Sequence, residues 1–168
     1  VSLQKSLWAG IFGLIAVVAF MIIFYRLPGL LASIALLVYV GITLAIFKLV
    51  PVTLTLAGIG GFILSIGMAV DANILIFARM KEEIKQGKSL SLAISEGFSR
   101  AWPSIRDSNL NSLIVCAILF IFSTSFIKGF ALTLSLGIVV SLFSAIFITR
   151  ILLMVVVGKW AEKVKWLL

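Results

Sequence analysis

Five apolar runs, each about as long as a helix must be to cross a ~30 Å hydrocarbon layer, take up most of this chain and leave little from which a water-facing surface could be built. They lie at roughly 7–25, 30–47, 54–78, 108–126 and 129–157. Of the 168 residues, 62% are hydrophobic and only 12% are charged. The mean hydropathy is +1.28, and soluble domains are nearer half apolar. The charges are bunched between the runs, as loops between spans require. The last run is long enough to tilt or to emerge on one side. The expected fold is all-α, a bundle of five transmembrane helices. No small-residue cleavage site follows the first run, and Arg26-Leu27-Pro28-Gly29 leads straight into the second, so the first run reads as a span and not as a secretory signal. The chain opens on Val1 without an initiator methionine and is expected to be a fragment of a longer protein.

A formal charge of +8 suits either nucleic-acid binding or membrane topology, and the placement of Lys and Arg decides between them. Five spans put the termini on opposite sides. Eleven of the fourteen basic residues fall on the side of the C-terminus: Arg26; Arg79, Lys81, Lys85, Lys88, Arg100 and Arg106; Arg150, Lys159, Lys163 and Lys165. Only Lys5, Lys48 and Lys128 fall on the other. By the positive-inside rule the C-terminus and the 79–106 loop are expected in the cytoplasm and the N-terminus outside. The charge is thus an orientation signal, and the expected partner is the lipid bilayer and not nucleic acid. The lone Cys116 sits in mid-span, which implies neither disulfide nor metal chemistry.

Two connections are very short: Arg26 to Gly29, with Pro28-Gly29 as a tight turn, and Ile127-Lys128. The longer 79–106 loop divides in two. RMKEEIKQG carries Arg79 and Glu83 at i,i+4 and stops at Gly87. A second part begins at Ser89, a plausible N-cap, and strings Leu90, Ile94, Phe98 and Ala101-Trp102 along one stripe until Pro103. It reads as an amphipathic helix at the membrane surface or beneath the bundle. In the fifth run Thr133, Gly137, Ser141, Ala145 and Thr149 recur every four residues, a groove that lets another backbone approach. In the third, Gly60, Gly67 and Asp71 share one side, and Asn73 points about 200° away from Asp71.

Asp71 lies eight residues before Arg79, which sets it about 12 Å inside the boundary, near mid-membrane. An ionised Asp there costs roughly 2.5–3.5 kcal/mol, to be offset by partners, water or protonation. Desolvation disfavours the anion, so a carboxyl held there can load and release a proton. Candidate partners open the fourth run, in Arg106-Asp107-Ser108-Asn109-Leu110-Asn111-Ser112. Asp107 and Asn111 share a face at i,i+4, and Ser108, Ser112 and Cys116 form a stripe beside it. A proton-relay set of Asp71, Asp107, Asn109 and Asn111 is expected, with Gly60, Gly67 and Asn73 as packing residues near it. Interhelical hydrogen bonding alone is the alternative use of these groups. The sequence has no His, no GxSxG, no phosphate-cradling Gly loop and no metal-ligand cluster, so it points to no ordinary enzyme and implies no cofactor.

GIGGFILSIGMAVDANILIFARMKEEIKQGKS, followed by AISEGF, IRDSNLNSLIVCAILF, IKGFALTLSLGI and IFITR, closely resembles the C-terminal membrane half of the SecD branch of the SecD/SecF family. The match runs in order from about Leu54 to Leu152, with 7–47 fitting two preceding helices more loosely. The SecF branch has the same architecture without the DAN-x-LIF signature. The resemblance implies an accessory subunit of the bacterial protein-export machinery, of the resistance-nodulation-division (RND) superfamily. Such subunits sit with SecF beside the SecYEG channel and use the proton-motive force to help preproteins leave after SecA has driven them in. It also implies that Asp71 is the transmembrane acid of proton coupling and that Asp107 and Asn109 form a second motif. A first transmembrane helix and a large extracytoplasmic domain are implied upstream. Two departures stand out: Ala78 occupies a place where the family usually has Glu, and Ser123-Thr124-Ser125 replaces a Gly-Thr-Gly turn. A proton-coupled small-molecule exporter and a passive scaffold of the channel are the rival readings, and a carboxylate with Asn and Ser neighbours suits either H⁺ or Na⁺.

Overall fold

The computed structural model describes residues 2–50, 52 and 55–160, and every regular element among them is helical. In chain order these are α1 (Ser2–Leu49), α2 (Leu56–Lys85), α3 (Leu90–Phe122), α4 (Ser125–Phe143), a π-helical segment (Ser144–Thr149) and α5 (Arg150–Trp160). Leu54, where the third span was expected to begin, lies outside the described residues, as do Lys163 and Lys165. Four of these stretches are long and apolar enough to cross a membrane, with the last formed by α4, the π segment and α5 in series.

The first stretch accounts for two of the five expected spans. Within α1 only Arg26 leaves helical geometry, at φ 46° and ψ −116°, and there the chain doubles back. The ring of Tyr25 lies 5.5 Å from that of Phe77, whereas Phe47, at the far end of the second arm, returns to Phe62 at 5.5 Å. On the first arm Gly10 also lies against Ile63, so both outer ends meet the same level of α2. The reversal is tighter than the expected Pro28-Gly29 turn. Those two residues open the second arm, where a proline's missing N–H leaves no helical bond unmade. Gly29 passes so near the first arm that a Cβ on it would lie 2.0 Å from the Met21 carbonyl oxygen.

α2 begins where the Thr55 hydroxyl accepts from the Gly58 N–H at 3.1 Å and ends before Gly87, whose φ of 83° suits the left-handed residue that closes a helix. The expected amphipathic helix is present with Ser89 at its N-cap, but it is not a separate surface element. It forms the first part of α3 and runs through Pro103 into the fourth span. Proline removes one backbone donor, yet Ile94, Phe98, Ala101, Ile105 and Asn109 stay buried at helical spacing on both sides of it. Continuous packing carries the helix across. Gly97 lets α3 cross directly on α2, since a Cβ there would lie 2.9 Å from the Met80 Cα.

The groove expected along the fifth span is filled by α2. Thr133, Ser141, Ala145 and Thr149 are all buried, and each hydroxyl finds a nearby acceptor. Thr133 donates to the Gly58 carbonyl at 2.9 Å, Ser141 to Ile138 at 2.8 Å and Thr149 to the Asn73 side-chain carbonyl at 2.9 Å. Gly137 admits Ser65, whose Oγ would lie 2.2 Å from a Cβ there. That same Oγ bonds the Tyr39 hydroxyl at 2.6 Å, bringing in the second arm of α1. Gly61 completes the seam: a Cβ on it would lie 2.5 Å from Thr133 Oγ1 and 2.6 Å from the Phe130 carbonyl oxygen. Gly61→Ala is expected to destabilise the helical domain by about 1–3 kcal/mol through overpacking. Gly60→Ala, one residue away with nothing within 4 Å, should leave it unchanged. Thermal or denaturant unfolding of the two variants in detergent checks the contrast.

Candidate functional site

α2 presents two chemically different faces, separated by helical period alone. The inner face carries Gly58, Gly61, Ser65, Asn73, Ile76, Phe77, Met80 and Glu83, all buried. The outer carries Gly60, Leu64, Gly67 and Asp71, all exposed, and neither Gly60 nor Gly67 has an atom within 4 Å of where its Cβ would be. Asp71 and Asn73 therefore point to opposite sides, as expected. Asn73 is a packing residue tied to the π segment, and Asp71 lies on a surface that the described residues leave uncovered.

Asp71 accepts no hydrogen bond from the described residues. It does share a cavity of about 230 Å³ with Met68, Ala72, Leu75, Ile105, Ser108 and Asn109, between α2 and α3. Asn109 is 4% exposed and spends its amide N–H on the Ile105 carbonyl at 2.7 Å. Its side-chain oxygen is buried with no partner. A buried acceptor of this kind calls for a donor, and a protonated carboxyl, a water or a cation in the shared cavity supplies one. The other candidates in the fourth span lie elsewhere. Asp107 is exposed and paired with Arg106 at 2.9 Å, Asn111 is exposed, and neither lines this cavity. The hydroxyls of Ser108 and Ser112 turn back onto the carbonyls of Ile105 and Ser108. Of the four residues grouped in the expected relay, then, the fold brings together Asp71 and Asn109.

Below the apolar run, α2 and α3 are held by a charge cluster that the sequence reading assigned differently. Arg79 pairs with Glu82 at 2.9 Å, and not with Glu83. Glu83 turns inward, 1% exposed, between Lys88 and Arg100, and Lys88 also binds Glu96. Glu83 falls three residues after Met80 on the buried stripe, which is the signal that predicts its direction. The Lys88 ammonium first, and the Arg100 guanidinium after it, hold the Glu83 carboxyl down to about 2 from an ordinary 4.5. Glu83 and then Glu96 raise the Lys88 ammonium above the usual lysine range. A carboxyl lowered on folding stabilises fully above its ordinary value and loses that contribution as pH falls toward the folded one. Hydrogen-exchange protection of residues 80–100, corrected for intrinsic rates, should therefore decline as pH drops below about 4.5 toward 2. Glu83→Gln should lower protection at neutral pH and abolish that dependence.

An acid on an uncovered helix face, above a buried amide and within a bundle of long apolar helices held by glycine and hydroxyl contacts, defines a polytopic membrane protein. Residues 2–159 match the family described as protein export membrane protein SecD/SecF, C-terminal, and the chain belongs to that family. It is 56% identical over 170 residues to protein translocase subunit SecD of Thermobaculum terrenum, covering 99% of this chain and 33% of that protein. To the SecD of Dehalococcoides mccartyi it is 64% identical over 155 residues, covering 89% and 34%. Its fold matches a crystal structure of a Thermus SecDF, described as a translocon-associated membrane protein, with a TM-score of 0.91 and 36% identity over 94% of this chain and 22% of that one. The chain spans about a third of the length of these SecD relatives.

Proposed function

We propose that this chain is the membrane part of an accessory subunit of the Sec translocase. In this reading it uses the proton-motive force across the bacterial cytoplasmic membrane to assist export of preproteins that SecA drives through SecYEG. The observation that carries the reading is Asp71 on the uncovered, small-residue face of α2. A bare ionised carboxylate toward lipid costs roughly 2.5–3.5 kcal/mol. Gly60, Leu64, Gly67 and Asp71, spaced every three or four residues, form a seam on which a second helix can pack closely. The paired subunit SecF is the proposed partner on that seam. Its bundle would close the Asp71 cavity from outside while Asn109 bounds it from within. The excess of Lys and Arg at the Arg79 and Arg150 ends supports a cytoplasmic location for those ends.

The proposed cycle is reversible protonation of Asp71. Neutral Asp71 can lie against an apolar partner and donate toward the orphaned Asn109 oxygen; ionised Asp71 must keep a wet or charged neighbour. The two states favour different fits of α2 against the partner. Any rotation of α2 is felt two residues later at the Asn73–Thr149 bond, which links it to the π segment, and π turns in helices are frequent at functional sites. Asp71 and Asn109 are the proposed relay groups, with Gly60 and Gly67 in the partner seam.

Asp71→Asn, placed in the full-length subunit, keeps size and hydrogen bonding but cannot ionise. Gradient-stimulated preprotein export into membrane vesicles should drop to the level seen with a collapsed gradient, while co-purification of SecF persists. Export at wild-type level would leave only a passive scaffold. Gly67→Leu tests the seam separately: SecF association should be lost although the unfolding temperature of the subunit alone is unchanged, and unaffected association would remove the partner from this face.

A further inference from the structure

A second and larger cavity, about 430 Å³, opens at the basic end of the bundle between α2, α3 and the π segment. Its walls include Ile76, Phe98, Ile105 and Ile146, and its polar groups are the Ser95 and Ser99 hydroxyls and the Arg150 guanidinium. Arg150 makes no ion pair among the described residues; its contact is the face of the Phe98 ring, 5.9 Å away. The nearest acids in sequence to the two serines are already engaged, Glu96 with Lys88 and Asp107 with Arg106. Trp102, 36% exposed, stands at the rim, where the amphipathic indole favours the membrane–water boundary. The cavity thus combines apolar walls, two hydroxyl donors and one unneutralised cation at headgroup depth.

We propose that this cavity binds an anionic phospholipid from the leaflet at the basic end, with the headgroup phosphate on Arg150, Ser95 and Ser99 and the upper acyl chain against Phe98 and Ile146. A planar guanidinium suits phosphate oxygens, and the walls suit an acyl chain in a way that they do not suit a hydrated anion. Preference for an anionic over a zwitterionic headgroup follows from the charge: no lining carboxylate is present to hold a choline or ethanolamine cation, which would instead meet Arg150.

The test is native mass spectrometry of the full-length subunit extracted from vesicles of equal parts phosphatidylglycerol and phosphatidylcholine, with and without excess inorganic phosphate. Phosphatidylglycerol should be retained over phosphatidylcholine by about fivefold, the effect of one cationic contact near a membrane surface. Arg150→Gln should abolish that preference, Arg150→Lys should keep most of it, and Arg106→Gln, which removes an exposed cation already paired with Asp107, should leave it intact. Helicity and melting temperature establish that the Arg150 variants are folded. If Arg150→Gln fails to fold, the wild-type lipid preference and the phosphate arm still decide. Equal retention of the two lipids, an unaltered preference in folded Arg150→Gln, or displacement by inorganic phosphate each overturns the proposal, the last by marking a free-anion site.

Discussion

The close contact between α2 and α4 is the constraint on which the rest of the bundle depends. Lipid tails are as apolar as leucine, so burying leucine between two membrane helices gains little, and association must come from close packing and internal hydrogen bonds. This chain meets that requirement with backbone proximity. Gly61 and Gly137 remove the side chains that would hold the helices apart. The distance so gained brings Thr133 to the Gly58 carbonyl and Ser65 to Tyr39. Those bonds leave no buried hydroxyl in the seam unmade, as a low-dielectric interior demands. Once this seam is fixed, the second arm of α1 and the crossing of α3 at Gly97 fall into place around α2, which becomes the central helix.

Making α2 central has a consequence for Asp71. A helix surrounded on all sides by its own chain would present Asp71 to neighbours of that chain, but here only the face carrying Gly61, Ser65 and Asn73 is covered. Gly60, Gly67 and Asp71 repeat on the other face the same device that holds α4, small residues at close spacing, without an occupant among the described residues. The similarity of the two faces is the physical reason for reading the outer one as a seam. A lipid-facing surface has no use for glycine at those positions, and still less for a carboxylate.

Much of this was legible in the sequence because it is periodic. The 3.6-residue repeat alone put Asp71 with Gly60 and Gly67, turned Asn73 away from them, and aligned Thr133 through Thr149 into a groove. Where the reading failed, the deciding interaction was tertiary. Pro103 looks like a stop until one sees that the buried stripe on either side of it is continuous. Glu83 looks like the i,i+4 partner of Arg79 until Lys88, from the loop at Gly87, and Arg100, from α3, draw it inward. Asp107 and Asn111 are close in sequence to Asn109, but a helix distributes near neighbours over different faces, and only Asn109 reaches the Asp71 cavity. The π segment left no mark in Ser144–Thr149 that composition could reveal.

The cluster around Glu83 also limits how the cavity above it can change. α2 and α3 are joined by the short loop at Gly87, touch backbone to backbone at Met80 and Gly97, and are bridged by Lys88 and Arg100 on one carboxylate. At that end they cannot slide along one another without separating the bridges. Asp71 and Asn109 lie farther in, where a cavity separates α2 and α3 and, among the described residues, no side-chain hydrogen bond joins the two helices. In the proposed cycle, a change in the charge of Asp71 would be expressed as tilt or rotation of the outer lengths of α2 and α3 about a fixed basic end. The element positioned to follow a rotation of α2 is the one bonded to its opposite face, the π segment at Thr149, which leads directly into Arg150 and the larger cavity.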